Sequence, residues 1–258
     1  PVILNDTAGI RNAVTEVEKI GVNRALEKAE FSDLILILSD NEDFSHPKLK
    51  STCKKILVHT KSDLKTIPNK GVHNISVKEN IGIDELINSI VNHLKSLKNI
   101  PIGIQLSHSG RKGSSEIPWV KHNTPLRKKK WITYAPSSIK RDKKWPLPKK
   151  LSLKGIKNIK KDFINSAILS KKAGFDCVEV HMAHGYLLHQ FLSPVANKRN
   201  DSYGGNLKNR MNLPLQIIKG IKSRCKGMII GARITGSDRV KGGIEIDESI
   251  KLIKELEK

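Results

Sequence analysis

Residues 173–210 read AGFDCVEVHMAHGYLLHQFLSPVANKRNDSYGGNLKNR. The stretch 176–184 alternates, so that Cys177, Glu179 and His181 fall on one face of a strand while Val178, Val180 and Met182 fall on the other. The apolar face needs a covering layer, and the face with a carboxylate and an imidazole is expected to be polar yet enclosed. A strand of this kind, followed by a loop and further apolar periodicity, is the unit of a parallel α/β sheet.

The same unit occurs on either side. Upstream, IGIQLSH (102–108) is a strand ending near Gln105 and His108; a long basic loop follows. Ser152 is then a plausible N-cap for a helix carrying Ile156, Ile159, Phe163, Ala167 and Ile168, closed by Gly174. Downstream, a helix over 210–225, with Pro214 expected in its first turn, leads to a third strand, MIIGARITG (228–236), with Arg233 near its end. In a parallel barrel all strands point one way, so residues at their C-terminal ends share one rim. This topology predicts that Gln105, His181, His184 and Arg233 meet.

The segments QLSHSGRKGS, YAPSSI, residues 173–210 and GARITGSD resemble the old yellow enzyme family of FMN-dependent NAD(P)H oxidoreductases, and most closely its bacterial ene-reductases. The likeness runs over residues 101–258. It implies that Gln105 hydrogen-bonds the polar edge of the flavin ring and that Arg233 lies against its N1–C2 edge. His181 and His184 would bind the carbonyl oxygen of an α,β-unsaturated substrate, and Tyr186 would protonate the carbon beside it. FMN and NADPH or NADH are the implied cofactors, a small enone the implied substrate, and a homo-oligomer of the full-length parent is possible. Read without the resemblance, Tyr186 is packing and Arg233 a salt-bridged barrel residue. The H-x-x-H of His181 and His184 lacks the carboxylate of an HExxH zinc site, so no metal is expected. His108 and His189 read as structural, and Asn197, Arg199, Asp201, Tyr203 and the pair Gly204 and Gly205 as a loop bracing the rim.

The first hundred residues read differently. A helical period over 15–30, apolar runs in DLILILSD and KILVHT, a short run in HNISVK and an amphipathic helix near 80–98 again imply a parallel sheet. DTAGIR (6–11), VEKIGVNRALE (17–27), Thr60 to Asp63, Ser76 to Lys78 and GIDEL (82–86) resemble the G domain of the MnmE/TrmE family of tRNA-modification GTPases. By that resemblance Asp6 reaches magnesium through water, Gly9 donates its N–H to the γ-phosphate, Lys61 lies along the guanine and Asp63 accepts from it. Thr60 and Val77 replace the usual Asn and Ala. No G-x-x-x-x-G-K-[ST] is present; SHSGRKGSS (107–115) is the nearest likeness, with the wrong spacing. GTP and Mg therefore belong only to an intact parent, and no GTP turnover is expected.

The charge divides in the same way. Residues 1–100 carry 14 Lys+Arg against 13 Asp+Glu, a net +1, and residues 101–258 carry 33 against 12, a net +21. Basic residues interleave with Trp119, Trp131 and Trp145, a pattern that can bind single-stranded nucleic acid. Without a recognisable module around it, the run reads as a solvated loop, so nucleic acid is not the expected partner; tRNA enters only with the GTPase reading. Cys53, Cys177 and Cys225 match no zinc or disulfide spacing and suit a reducing cytosol. No apolar run spans a membrane.

The expected architecture is α/β: a partial Rossmann-like GTPase domain lacking its P-loop over 1–98, then a partial TIM (β/α)8 barrel over 99–258, with a seam near Pro101. Only three of eight barrel strands are expected, so the chain reads as a fragment or chimera with weak or no flavin retention.

Overall fold

The structure, a computed structural model, describes residues 16–41, 43–44, 52–68, 70–116, 124–128 and 130–258. The expected Asp6 and Gly9 contacts lie outside the described residues. The chain divides into two compact units, Pro1–Ile90 and Val91–Lys258.

In the first unit, helix α1 (Glu16–Glu30) precedes strands β1 (Leu34–Ser39), β2 (Lys54–His59) and β3 (Val72–Asn74); α2 (Ile83–Leu97) begins in it and runs on into the second. The three strands are parallel in the order β1-β2-β3. Ile56, Val58 and Ile75 are buried, with Leu34, Leu36, Ile83, Leu86 and Ile90 packed against them.

The second unit contains β4 (Gly103–Leu106), β5 (Tyr134–Ala135), β6 (Lys149–Lys150), α3 (Leu153–Lys172), β7 (Cys177–Met182), α4 (Leu187–Leu192), α5 (Leu207–Arg224), β8 (Ile229–Ile234) and α6 (Ile246–Glu257). Strands β4, β7 and β8 form one parallel sheet in that order. Its register sets Gln105 opposite Glu179, Glu179 opposite Gly231, and His181 opposite Arg233. Val178, Val180 and Met182 lie in a buried core with Ile156, Phe163 and Ala167 of α3 and Leu213, Ile217 and Ile221 of α5. The periodicity of both helices and the alternation of β7 thus meet in one apolar layer.

Ser152 caps α3, its hydroxyl accepting from the Gly155 N–H at 3.1 Å. Gly174, at φ +88°, turns the chain from α3 toward β7, a conformation that costs glycine little. Two expectations need correction. Pro214 is not in the first turn of its helix, because α5 starts earlier: the Asn206 side chain accepts from the Asn209 N–H at 2.9 Å and sets the start at Leu207. Pro214 therefore sits inside the helix, where it cannot donate to the Arg210 carbonyl. The polar sheet face is enclosed only in part: on β7 His181 is buried and Cys177 and Glu179 are partly buried, whereas Gln105 and Arg233 on the flanking strands are exposed. The described residues form an open three-stranded α/β layer and do not close into a barrel.

Candidate active site

Because β4, β7 and β8 are parallel, their C-terminal ends deliver Gln105, His181 and Arg233 to one edge, as the sequence predicts. His184 follows two residues after β7 and Tyr186 is the residue before α4. The rings of His184 and Tyr186 each lie with their centroids 5.0 Å from that of His181. The three candidate catalytic side chains thus form one cluster. His181 is 2% exposed, and its Nδ1 has no hydrogen-bond partner. Burial first, then the nearby charges of His184 and Arg233, hold its pKa below the ordinary histidine value, against a smaller opposing pull from Glu179. The ring is therefore neutral near pH 7.

Backbone strain and cross-links fix this cluster. His184 adopts φ +57° and Gly185 φ +68°. The His184 N–H donates to Thr235 Oγ1 at 3.1 Å, and its carbonyl accepts from Lys112 Nζ at 2.5 Å. Lys112 also lies 5.8 Å from the centre of the Tyr186 ring, within cation–π range. Burial, then Arg141 and Arg111, lower the Lys112 pKa.

The two histidines read as structural do hold the loops. His108 accepts from the Gly110 N–H at its Nδ1 (3.0 Å) and from the Leu187 N–H at its carbonyl (2.9 Å). His189 Nδ1 accepts from the Gly185 N–H at 2.7 Å, which leaves the ring proton on Nε2, 2.8 Å from Asp238 Oδ1. Burial alone would raise the Asp238 carboxyl, but His189, the Ser193 hydroxyl and the Ile244 N–H outweigh it and bring it to about 2. The expected bracing loop also has its contacts. Arg199 donates to the Pro136 and Leu151 carbonyls and pairs with Asp201, and Asn197 donates to the Phe191 and Tyr203 carbonyls.

Sequence reasoning missed Glu179, Lys112, Thr235 and Asp238. Glu179 stood on the face of His181 by alternation, yet it received no role. Its Oε1 accepts from Gln105 Nε2 at 2.5 Å and from Arg233 Nε at 2.8 Å. Arg233 and then Gln105 lower its pKa, so it is an anion here.

The likeness of SHSGRKGSS to a phosphate loop does not extend to shape. Residues Gly110–Lys112 form a short 3-10 helix, and a Cβ on Gly110 would fall 2.4 Å from the Gln190 amide. Of the interleaved tryptophans, Trp145 is buried with Arg141 4.7 Å from its ring centre, Trp131 is exposed, and Trp119 lies outside the described residues. In the first unit, Lys61 pairs with Asp40 at 2.5 Å, and Asp63 accepts from the Ser76 hydroxyl at 2.6 Å with Lys78 3.8 Å away. Among the described residues no helix is long and apolar enough to cross a membrane.

The residues present fit a flavin. They offer an exposed guanidinium and an exposed amide on one sheet face, with the buried, unpaired His181 Nδ1 on the same face. A Cβ on Gly231 in its middle would meet nothing nearer than the Val178 carbonyl at 3.9 Å, so the space above is free.

Residues 77–258 match the profile of the NADH:flavin oxidoreductase / NADH oxidase family. The match starts upstream of Pro101, where the sequence reading places its seam. An NADPH dehydrogenase of Listeria innocua is 40% identical over 154 residues, 59% of this chain and 40% of that protein. One of Bacillus subtilis is 37% identical over 153 residues, 59% of this chain and 41% of that protein. The chain thus spans well under two thirds of the length of these relatives. Among solved structures, a morphinone reductase in complex with tetrahydroNAD superposes with a TM-score of 0.54 at 25% identity, over 68% of this chain and 52% of that one.

Proposed function

Since the chain belongs to the NADH:flavin oxidoreductase / NADH oxidase family, we propose that its second unit is the site-bearing part of an FMN-dependent, NAD(P)H-oxidising enzyme of old yellow type. In this reading β4, β7 and β8 are strands of a (β/α)8 barrel, and the substrate is a small α,β-unsaturated carbonyl compound. The observation that carries the proposal is the convergence of Gln105, His181, His184, Tyr186 and Arg233 at one sheet edge, with His181 Nδ1 unpaired.

Bound FMN would supply hydride transfer from its ring N5, after reduction by a nicotinamide nucleotide. The chain's own residues do the rest. Gln105 and Arg233 hold the polar edge of the ring, and the Arg233 cation favours its reduced, negatively charged form. His181 and His184 donate hydrogen bonds to the substrate carbonyl oxygen, where charge develops as the neighbouring double bond is reduced. A neutral imidazole is a donor with no charge of its own to desolvate. Tyr186 gives its phenolic proton to the carbon beside the carbonyl, and Lys112, 5.8 Å from its ring centre, helps hold the ring in place. Lys112 and Thr235, bonded to the backbone of His184, keep that imidazole at the rim.

The test is single-turnover oxidation. Chain loaded with FMN and reduced by NADPH is mixed with an activated enone such as cyclohexenone. Flavin absorbance should return at a rate that rises with enone concentration, and a rate independent of enone contradicts the proposal.

For residues 1–98 a second reading, descent from a GTPase G domain, is favoured by the contact of Asp63 with Ser76 between the loops that follow β2 and β3. Micromolar GDP affinity in a titration supports it, and no binding removes its functional content.

A further inference from the structure

We infer that Glu179 is a positioning residue of the flavin site: one carboxylate oxygen orients both Gln105 and Arg233 and offsets part of the guanidinium charge presented to the cofactor. The inference rests on the flavin reading above and adds to it a residue that no role had claimed.

The register explains how one oxygen reaches two partners. Gln105 lies directly opposite Glu179 on β4, whereas on β8 the opposite residue is Gly231, which has no side chain. Arg233, one pleat further on the same face, donates from Nε to the oxygen that Gln105 Nε2 also reaches, at 2.8 and 2.5 Å.

Each contact leaves defined valence over. An ionised carboxylate only accepts, so it turns the Gln105 amide Nε2 inward and frees the amide oxygen to accept from a ligand N–H. Arg233 spends its Nε, and both terminal nitrogens of its fork remain for an anionic or carbonyl-bearing ligand edge. The uracil-like edge of an isoalloxazine carries that mixture of N–H and carbonyl groups. The pair is half-exposed, with side-chain accessibilities of 36% for Glu179 and 50% for Arg233, and an ion pair so placed adds little to folding. Its effect lies in orientation and field.

The test is Glu179→Gln, which keeps shape and removes charge. Two quantities are read on the FMN-loaded chain. The dissociation constant of oxidised FMN, from fluorescence quenching, should rise roughly threefold to tenfold as Gln105 and Arg233 lose their shared anchor. The midpoint potential should move upward, because Arg233 then acts on the reduced ring without an opposing charge; a roughly tenfold gain in relative affinity for the reduced form is about 30 mV for a two-electron couple. A purely structural role would weaken binding without raising the potential. In an Arg233→Ala background the effect of Glu179→Gln on the dissociation constant should shrink, since the two act together. Unchanged binding and potential in Glu179→Gln, with wild type binding FMN, overturns this inference alone. A wild-type chain that takes up no FMN overturns the flavin reading and this inference with it.

Discussion

The chain has two parallel three-stranded sheets, β1-β2-β3 and β4-β7-β8, and both gather polar residues at the C-terminal ends of their strands. In the first, the described charges at those ends are engaged with one another: Lys61 with Asp40, and Asp63 with Ser76 and Lys78. In the second, Arg233 is exposed and is held through Nε by a half-exposed carboxylate. A buried imidazole nitrogen without a partner occurs in both sheets, at His59 Nδ1 in the first and His181 Nδ1 in the second, and strand ends collect polar groups by topology alone. What distinguishes the second sheet is the cluster of His181, His184 and Tyr186 beside an exposed guanidinium and an exposed amide. The sheets also differ in backing. The second packs β7 against α3 and α5 in an extended core, while the buried cluster of the first sheet is Ile56, Val58 and Ile75, with Ala25 and Ile67 also buried in that unit.

The largest effect should come from the paired imidazoles of the second sheet. His181→Ala or His184→Ala is expected to slow enone-dependent reoxidation of the reduced flavin by about 10²- to 10³-fold, the cost of losing one donor to a developing oxyanion. Any pH step in the rate that arises from His181 should appear on the acid side of the ordinary histidine range, because burial and the nearby positive charges lower its pKa. Stopped-flow absorbance across pH checks both, and an unaffected rate would place the chemistry elsewhere.

Next is the brace behind the site. Asp238, depressed from 3.8 to about 2, contributes stability that is complete above its unfolded value and is lost as pH falls through about 2. Asp238→Asn should cost roughly 2 kcal/mol at pH 7 and should flatten the acid limb between about pH 4 and 2, as read by urea denaturation. A variant with the acid limb intact would mean that another carboxylate dominates.

A smaller effect belongs to the helix that backs the sheet. Ser152→Ala removes the cap of α3 and should lower stability by about 1 kcal/mol without changing the flavin absorbance of loaded protein. The smallest belongs to the first sheet: Asp40→Ala breaks an exposed pair and should change neither stability nor FMN affinity beyond measurement error. A clear loss of FMN affinity there would break the contrast between the two sheets.

Much of this was legible in residues 173–210. Alternation gave the faces of β7, and parallel topology gave the shared edge of Gln105, His181 and Arg233. Contacts set by register were not legible. Glu179 meets Arg233 on the diagonal between β7 and β8, and Asp238, in the loop after β8, meets His189 of α4, far away in sequence. The start of α5 was misplaced although a signal existed: Asn206, just after two glycines, is a residue type that caps helices. The partial exposure of the polar face, at Gln105 and Arg233 but not at His181, was not legible either.

The most direct test of the central claim is an FMN titration of the chain beside its Gln105→Ala, Arg233→Ala and Asp63→Ala variants, followed by flavin fluorescence. Weak but saturable one-to-one binding, as three of eight barrel strands allow, that weakens further in the first two and is untouched in the third is the predicted result. Absence of binding, or equal binding by all four proteins, would contradict the assignment of the flavin to the edge of β4, β7 and β8.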